Sequence, residues 1–113
     1  MSGLPGPPAE GGPLRCREPA TATVQVDDAH VRVTRWDLNP GAETGWHRHG
    51  FLYVVVPVTD GILLAELPDG GTMTAELKAG GSYTRGAGVE HNVVNAGAAP
   101  LAFVEVEVKG LPG

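Results

Sequence analysis

The chain predicts an all-β domain, a small barrel or sandwich, and three observations carry that expectation. Glycine (17 residues) and proline (10 residues) recur along its length and cut it into short segments. No segment of useful length repeats apolar residues at the roughly 3.6-residue spacing of a helix. Near the end, Val104, Val106 and Val108 alternate with Glu105 and Glu107, the period of a strand with one wet face.

Taken in order, the elements begin after a distinct zone. Residues 1–20 contain Ser2-Gly3-Leu4-Pro5-Gly6-Pro7-Pro8 and Gly11-Gly12-Pro13, which build no helix and bury little. This zone reads as a flexible arm, and residues 21–110 as the folded domain. Cys16 falls in the arm, an unremarkable thiol with only Arg15 and Arg17 beside it. Thr23–Val26 forms a short strand ended by Asp27-Asp28, and Val31–Leu38 a second, ended by Asn39-Pro40-Gly41. Trp46–His49 is extended and runs into Leu52–Val58, and Thr59-Asp60-Gly61 turns the chain. Ile62–Leu67 pairs with Thr72–Leu77 across Pro68-Asp69-Gly70-Gly71. Ala79-Gly80-Gly81 turns again, and Ser82–Arg85, His91–Asn95 and Leu101–Val108 complete the set. Val54-Val55-Val56 is apolar on both faces, so the second face needs a cover, which a second subunit would provide.

Length and composition narrow the function classes. At 113 residues the chain makes one domain with one core. A formal charge of −5 and the lack of a basic stripe argue against nucleic acid as a partner. A single cysteine allows no internal disulfide and suits a reducing compartment. No apolar run approaches the ~18 residues of a membrane span, and the first residues lack the charged and apolar regions of a secretion signal. The expected setting is cytoplasmic, with no membrane partner.

The chemistry lies in three histidines. His47 and His49 stand two apart in Gly41-Ala42-Glu43-Thr44-Gly45-Trp46-His47-Arg48-His49, so in an extended segment both rings project from one face. His91 lies far off in sequence, in a similar glycine-punctuated setting with Gly80, Gly86-Ala87-Gly88 and Asn95. A β-barrel that brings the three together makes a site for a divalent transition metal, because imidazole, with an unperturbed pKa of ~6.5, has a free lone pair at neutral pH. His30, beside the Asp27-Asp28 turn, reads as a surface residue.

These residues resemble the two motifs of the cupin superfamily. Gly41, His47, His49 and Gly61 fall on the first, and Gly80, Gly88, His91 and Asn95 on the second, with Gly86 replacing its proline. The resemblance covers residues 24–108 and implies a cupin β-barrel, a double-stranded β-helix of jelly-roll type, with His47, His49 and His91 as metal ligands. The family's glutamate ligand is missing: its place falls on Tyr53 or, with a longer gap, on Val54. In ligand set alone the chain is similar to cupin thiol dioxygenases and β-diketone-cleaving dioxygenases, although no cysteine is placed for the former's Cys–Tyr crosslink. The resemblance therefore implies an Fe(II)-dependent dioxygenase acting on a small organic acid, thiol or enolisable carbonyl substrate. Zn, Mn or Ni in the same site would imply a redox-neutral isomerase, lyase or hydrolase, and a non-catalytic ligand-binding module is the third reading. The chain is also similar to bacterial cupins associated with β-alanine degradation. Small cupins pair through their sheets, so a homodimer is expected, with the arm a candidate to cross between subunits.

Around this site Tyr53 and Arg85 are the candidate catalytic residues. The Tyr53 phenol would meet a metal-bound water or substrate, ligate the metal directly, or simply fill the barrel. Arg85 shares a face with Tyr83; turned inward it would bind a substrate carboxylate, but an outward position at the rim is the expectation. Trp36 and Phe51 are candidate cavity walls, and Trp46 and Arg48 point away from the metal, Trp46 as packing. Asn95 and the glycines support turns, and Glu90 is solvated. Without a carboxylate the centre keeps both charges of its ion and should favour anionic ligands.

Overall fold

The structure, a computed structural model, describes residues 17–110. Cys16 and most of the expected arm lie outside them. The described chain forms nine strands: β1 Thr21–Asp27, β2 Val31–Leu38, β3 His47–Arg48, β4 Leu52–Pro57, β5 Gly61–Glu66, β6 Thr72–Leu77, β7 Tyr83–Arg85, β8 Glu90–Asn95 and β9 Leu101–Val108. They make two antiparallel sheets, in the orders β1-β2-β9-β4-β7 and β3-β8-β5-β6. No described helix is long and apolar enough to cross a membrane.

Local chemistry sets the turns. Asp28 Oδ1 accepts the N–H groups of His30 (2.8 Å) and Val31 (2.9 Å), ending β1 and launching β2. In the β5–β6 hairpin, Leu67 N donates to Gly71 O, Gly71 N donates to Asp69 Oδ1, and Gly70 adopts φ +88°. Between the sheets lies a core of Leu38, Tyr53, Val55, Leu63, Ala65, Leu77, Val93, Leu101 and Phe103, all buried. Asn95, also buried, donates to the carbonyls of Leu38 and Ala99 and accepts from Gly97 N, the turn-supporting part expected of it.

The structure corrects the sequence reading in two places that bear on the site. Trp46–His49 does not run on into the next strand. His47–Arg48 pairs with β8 in the smaller sheet, and the chain then crosses at Gly50-Phe51 into β4 of the larger one. The second correction concerns β9. Its register with β2 and β4 puts Leu101, Phe103, Glu105 and Glu107 on the inner face, level with Leu38, Trp36, Thr34 and Arg32. Val104 and Val106 face outward, where Val106 stands between Val33 and Val54, and Val108 between Val31 and Leu52. The valines were read as the core side of β9 because they are apolar. They instead meet other apolar residues on the outer face, and the two glutamates enter the barrel.

Candidate metal centre

His47 and His91 are directly opposite each other in the β3–β8 ladder, so their side chains start as cross-strand neighbours. His49 continues the line. Its backbone N–H donates to Val89 O and its carbonyl accepts from Gly88 N, which returns its side chain to the same side. The three rings converge at centroid separations of 4.7, 4.7 and 5.3 Å. His49 Nε2 lies 3.0 Å from His47 Nε2 and 3.3 Å from His91 Nε2.

The ring orientations are built from the loop before β3. His47 Nδ1 lies 2.8 Å from the Gly45 carbonyl; a carbonyl only accepts, so Nδ1 carries the proton and Nε2 presents its lone pair to the cluster. Gly45 is held in turn: its N–H donates to Asn92 Oδ1 at 2.9 Å, and Asn92 Nδ2 donates to Glu43 and Glu66. Arg17 closes the network by donating to both of those carboxylates, at 3.0 to 3.2 Å. Residues 17–20, expected as part of the arm, are thereby tied to the barrel, Ala20 N donating to Glu43 O as well. Gly45 sits at φ +91°, a conformation that costs an L-residue about 1–2 kcal/mol. Gly45→Ala should therefore lower the stability of the metal-free protein by about that amount, read by urea denaturation. An unchanged midpoint would show that the loop relaxes and that its geometry is not enforced.

The donor set fits a divalent transition ion: three imidazole nitrogens within 4.8 Å of one another, partly or fully buried. Burial, then the neighbouring His47 and Arg85, lowers the pKa of His49 to about 4. Burial, then His47, His49 and Arg85, lowers His91 to about 3. Both rings are neutral at neutral pH, so an ion displaces no proton from either. His91 Nδ1 is buried without a hydrogen-bond partner.

Sequence reasoning missed the two carboxylates beside this cluster. Glu105 is 7% exposed, with Oε2 3.8 Å from His49 Nε2, and Glu107 Oε2 lies 3.6 Å from His49 Nδ1. Trp36 Nε1 donates to Glu105 Oε1 at 2.9 Å. Burial raises the Glu105 pKa to about 7, against the stabilising Trp36 hydrogen bond and with a further push from Glu107. Two carboxylates thus stand beside the three imidazoles. One signal was available: Glu105 and Glu107 share a strand face with Leu101 and Phe103, and Phe103 is the largest apolar group on β9.

The candidate catalytic residues lie on the inner side of the histidines. Tyr53 is 1% exposed and stacks on the His49 ring at 3.8 Å and 17°. Burial raises its pKa above the usual phenol value, and among the described residues its hydroxyl has no hydrogen-bond partner. Arg85, opposite Tyr53 in the β4–β7 ladder, turns inward rather than to the rim. Both line an interior cavity of about 20 Å³ with Tyr83, His91 and Glu105, room for about one water. The outer side is an open cleft of about 290 Å³ lined by Trp36, His47, His49, Glu105 and Glu107. Trp36 is the cleft wall expected of it, stacked near His47 at 6.2 Å. Phe51 is exposed ahead of β4 and lines neither space, and Trp46 is 52% exposed rather than packed. Glu90 and His30 are exposed, as expected, and Arg48, expected to point away from the metal, lines the cleft beside His47 and His49.

Comparison with known proteins places these features in a lineage. The cupin domain family matches residues 34–107. The β-alanine degradation protein BauB of Pseudomonas aeruginosa is 60% identical over 93 residues, spanning 82% of this chain and 97% of that protein. The crystal structure of a cupin domain from Bordetella pertussis superposes with a TM-score of 0.80 at 52% identity, covering 85% of this chain and 99% of that one. A double-stranded β-helix protein of Klebsiella pneumoniae, at 25% identity, gives a TM-score of 0.67 over 84% of this chain and 81% of its own.

Proposed function

The chain belongs to the cupin domain family, and from that premise we propose that it is a cytoplasmic mononuclear metal enzyme, an Fe(II)-dependent dioxygenase of a small organic acid, thiol or enolisable carbonyl compound. The observation that carries this reading is the convergence of the Nε2 atoms of His47, His49 and His91, with His47 and His49 lining a solvent-facing cleft. Bound iron(II) would supply reducing electrons and open positions where a chelating substrate and O₂ meet. The protein's part is to orient His47 through the Gly45 carbonyl and to keep His49 and His91 neutral by burial. Trp36 walls the cleft and anchors Glu105, while the Tyr53 ring presses His49 into place. The cleft is at the small end for ligand pockets, which suits a compact substrate. The name of the 60% identical relative, a β-alanine degradation protein, supports a small acid.

The test is oxygen uptake by the Fe(II)-reconstituted protein over a panel of small thiols, diketones and short-chain acids. Substrate-dependent uptake supports the reading, and a metal-loaded protein with no uptake on any of them counts against it. One observation favours a second, redox-neutral reading with Zn, Mn or Ni. Glu107 faces the cleft with its carboxylate partly exposed, where it would serve as a base for isomerisation or lyase chemistry. Turnover without oxygen uptake, lost in Glu107→Gln, would select it.

The partner we propose is a second copy of the chain. The outer face of the larger sheet carries Val31, Val33, Val54, Val56, Val104, Val106 and Val108 in neighbouring rows, flanked by the exposed Leu52 and Val26. A continuous apolar face of one sheet meets its own copy about a two-fold axis without any other partner. Light scattering should show a dimer for the wild type and a monomer for Val106→Asp. A wild type that stays monomeric across a broad concentration range overturns the proposal.

A further inference from the structure

We infer that Glu105, on β9, is the carboxylate ligand of this metal centre, supplied by the strand adjoining the one whose Tyr53 offers none. The inference rests on the metal reading above and adds a donor to it. The Glu105 side chain is buried and its two oxygens are differentiated. Oε1 accepts from Trp36 Nε1 at 2.9 Å, which fixes the carboxylate plane from the cleft wall. Oε2 is left facing His49 Nε2 at 3.8 Å, and that ring atom faces the Nε2 atoms of His47 and His91. Among the described residues no lysine or arginine lies within 4.0 Å of Glu105. A carboxylate buried this deeply without a cation is costly unless something else neutralises it, and a divalent ion at the three nitrogens would do so.

Geometry separates Glu105 from its neighbour. Glu107 approaches His49 at Nδ1, the ring edge turned from the cluster, where a carboxylate steadies the ring but cannot reach an ion held at Nε2. Topology lets β9 supply the donor. β4 and β9 are hydrogen-bonded neighbours, with Val55 opposite Glu105 and Tyr53 opposite Glu107, so inward side chains of both strands reach the same space. Tyr53 spends its position on stacking against His49, and the oxygen donor comes from the next strand. The centre then has three imidazoles and one carboxylate, and one positive charge instead of two.

The test compares the full-length wild type, Glu105→Gln and Glu107→Gln by chelator competition for Co(II) and Zn(II), with the Co(II) visible spectrum as a second readout. Glutamine keeps an acceptor for Trp36 and removes only the charged donor. Loss of an outer partner such as Glu107 costs about 10–100-fold in affinity, so Glu105→Gln should weaken both ions by more than Glu107→Gln does, and only Glu105→Gln should alter the Co(II) bands. Equal affinity and superimposable spectra for Glu105→Gln and wild type would overturn the inference while leaving the three-histidine centre standing. A wild type that binds neither ion would instead overturn the metal reading itself. Should Glu105→Gln not fold, the infrared difference between Zn(II)-loaded and metal-free protein decides. A carboxylate-stretch difference in both wild type and Glu107→Gln supports ligation, and its absence overturns it.

Discussion

His47→Ala/His91→Ala is expected to purify free of metal where the wild type carries about one ion per chain, measured by mass spectrometry on proteins prepared side by side. The two residues face each other across one strand pair, so their loss removes one whole side of the site and leaves His49 alone. A single imidazole retains little affinity for a divalent ion. The change should also be visible in stability, because an ion that binds only the folded state stabilises it. The gain is about 2.7 kcal/mol when free metal exceeds the dissociation constant a hundredfold. For a domain of this size that is a shift of roughly 10–20 °C in the melting midpoint. A chelator should therefore lower the midpoint of the wild type by about that much and leave the double variant unmoved. Equal metal content in the two proteins, or a chelator-insensitive wild type, would remove the basis for a metal enzyme.

Tyr53→Ala should be the most damaging single substitution near the site, costing about 3–5 kcal/mol in the metal-free protein. The ring is 1% exposed, belongs to the core cluster and supports His49 face to face. Removing it opens a cavity beneath a ligand, so metal affinity should fall together with stability. Against a typical total of about 5–15 kcal/mol, that loss brings the domain near unfolding. Tyr53→Phe keeps the stacking face and deletes only the hydroxyl, which has no hydrogen-bond partner among the described residues. Its denaturation midpoint should stay close to wild type. If the Tyr53 hydroxyl serves substrate or a metal-bound water, Tyr53→Phe will lower turnover with metal content unchanged. A variant as active as wild type would confine Tyr53 to packing.

The residues that the sequence and the structure read differently share one property. Trp46–His49, Arg85, Glu105 and Glu107 all sit where assignment depended on which way a strand faces or which sheet it joins. Arg85 and Tyr83 share one face as expected, but that face turns into the barrel and not to the rim where Arg85 is expected. For β9 the alternation of valine and glutamate was plain, and hydrophobicity alone chose the wrong side. An apolar face on the outside of a sheet looks the same in sequence as one on the inside. Trp46 reads as packing for the same reason, yet it stands half exposed on the surface.

What the sequence determined by itself were the local properties: eight of the nine strands near their observed positions, the Asp28 and Pro68–Gly71 turns, and the two histidine clusters. Period-two alternation, side-chain-to-backbone hydrogen bonds and glycine conformations act within a few residues, so they can be read along one chain. Only the tertiary structure decided that His47 stands opposite His91, that Tyr53 stacks on His49, and that Glu105 brings a carboxylate within 3.8 Å of His49 Nε2. Those facts follow from register across the β3–β8 and β4–β9 ladders and from closure of two sheets on one core. A shift of one residue in either ladder would turn the opposite set of side chains into the barrel.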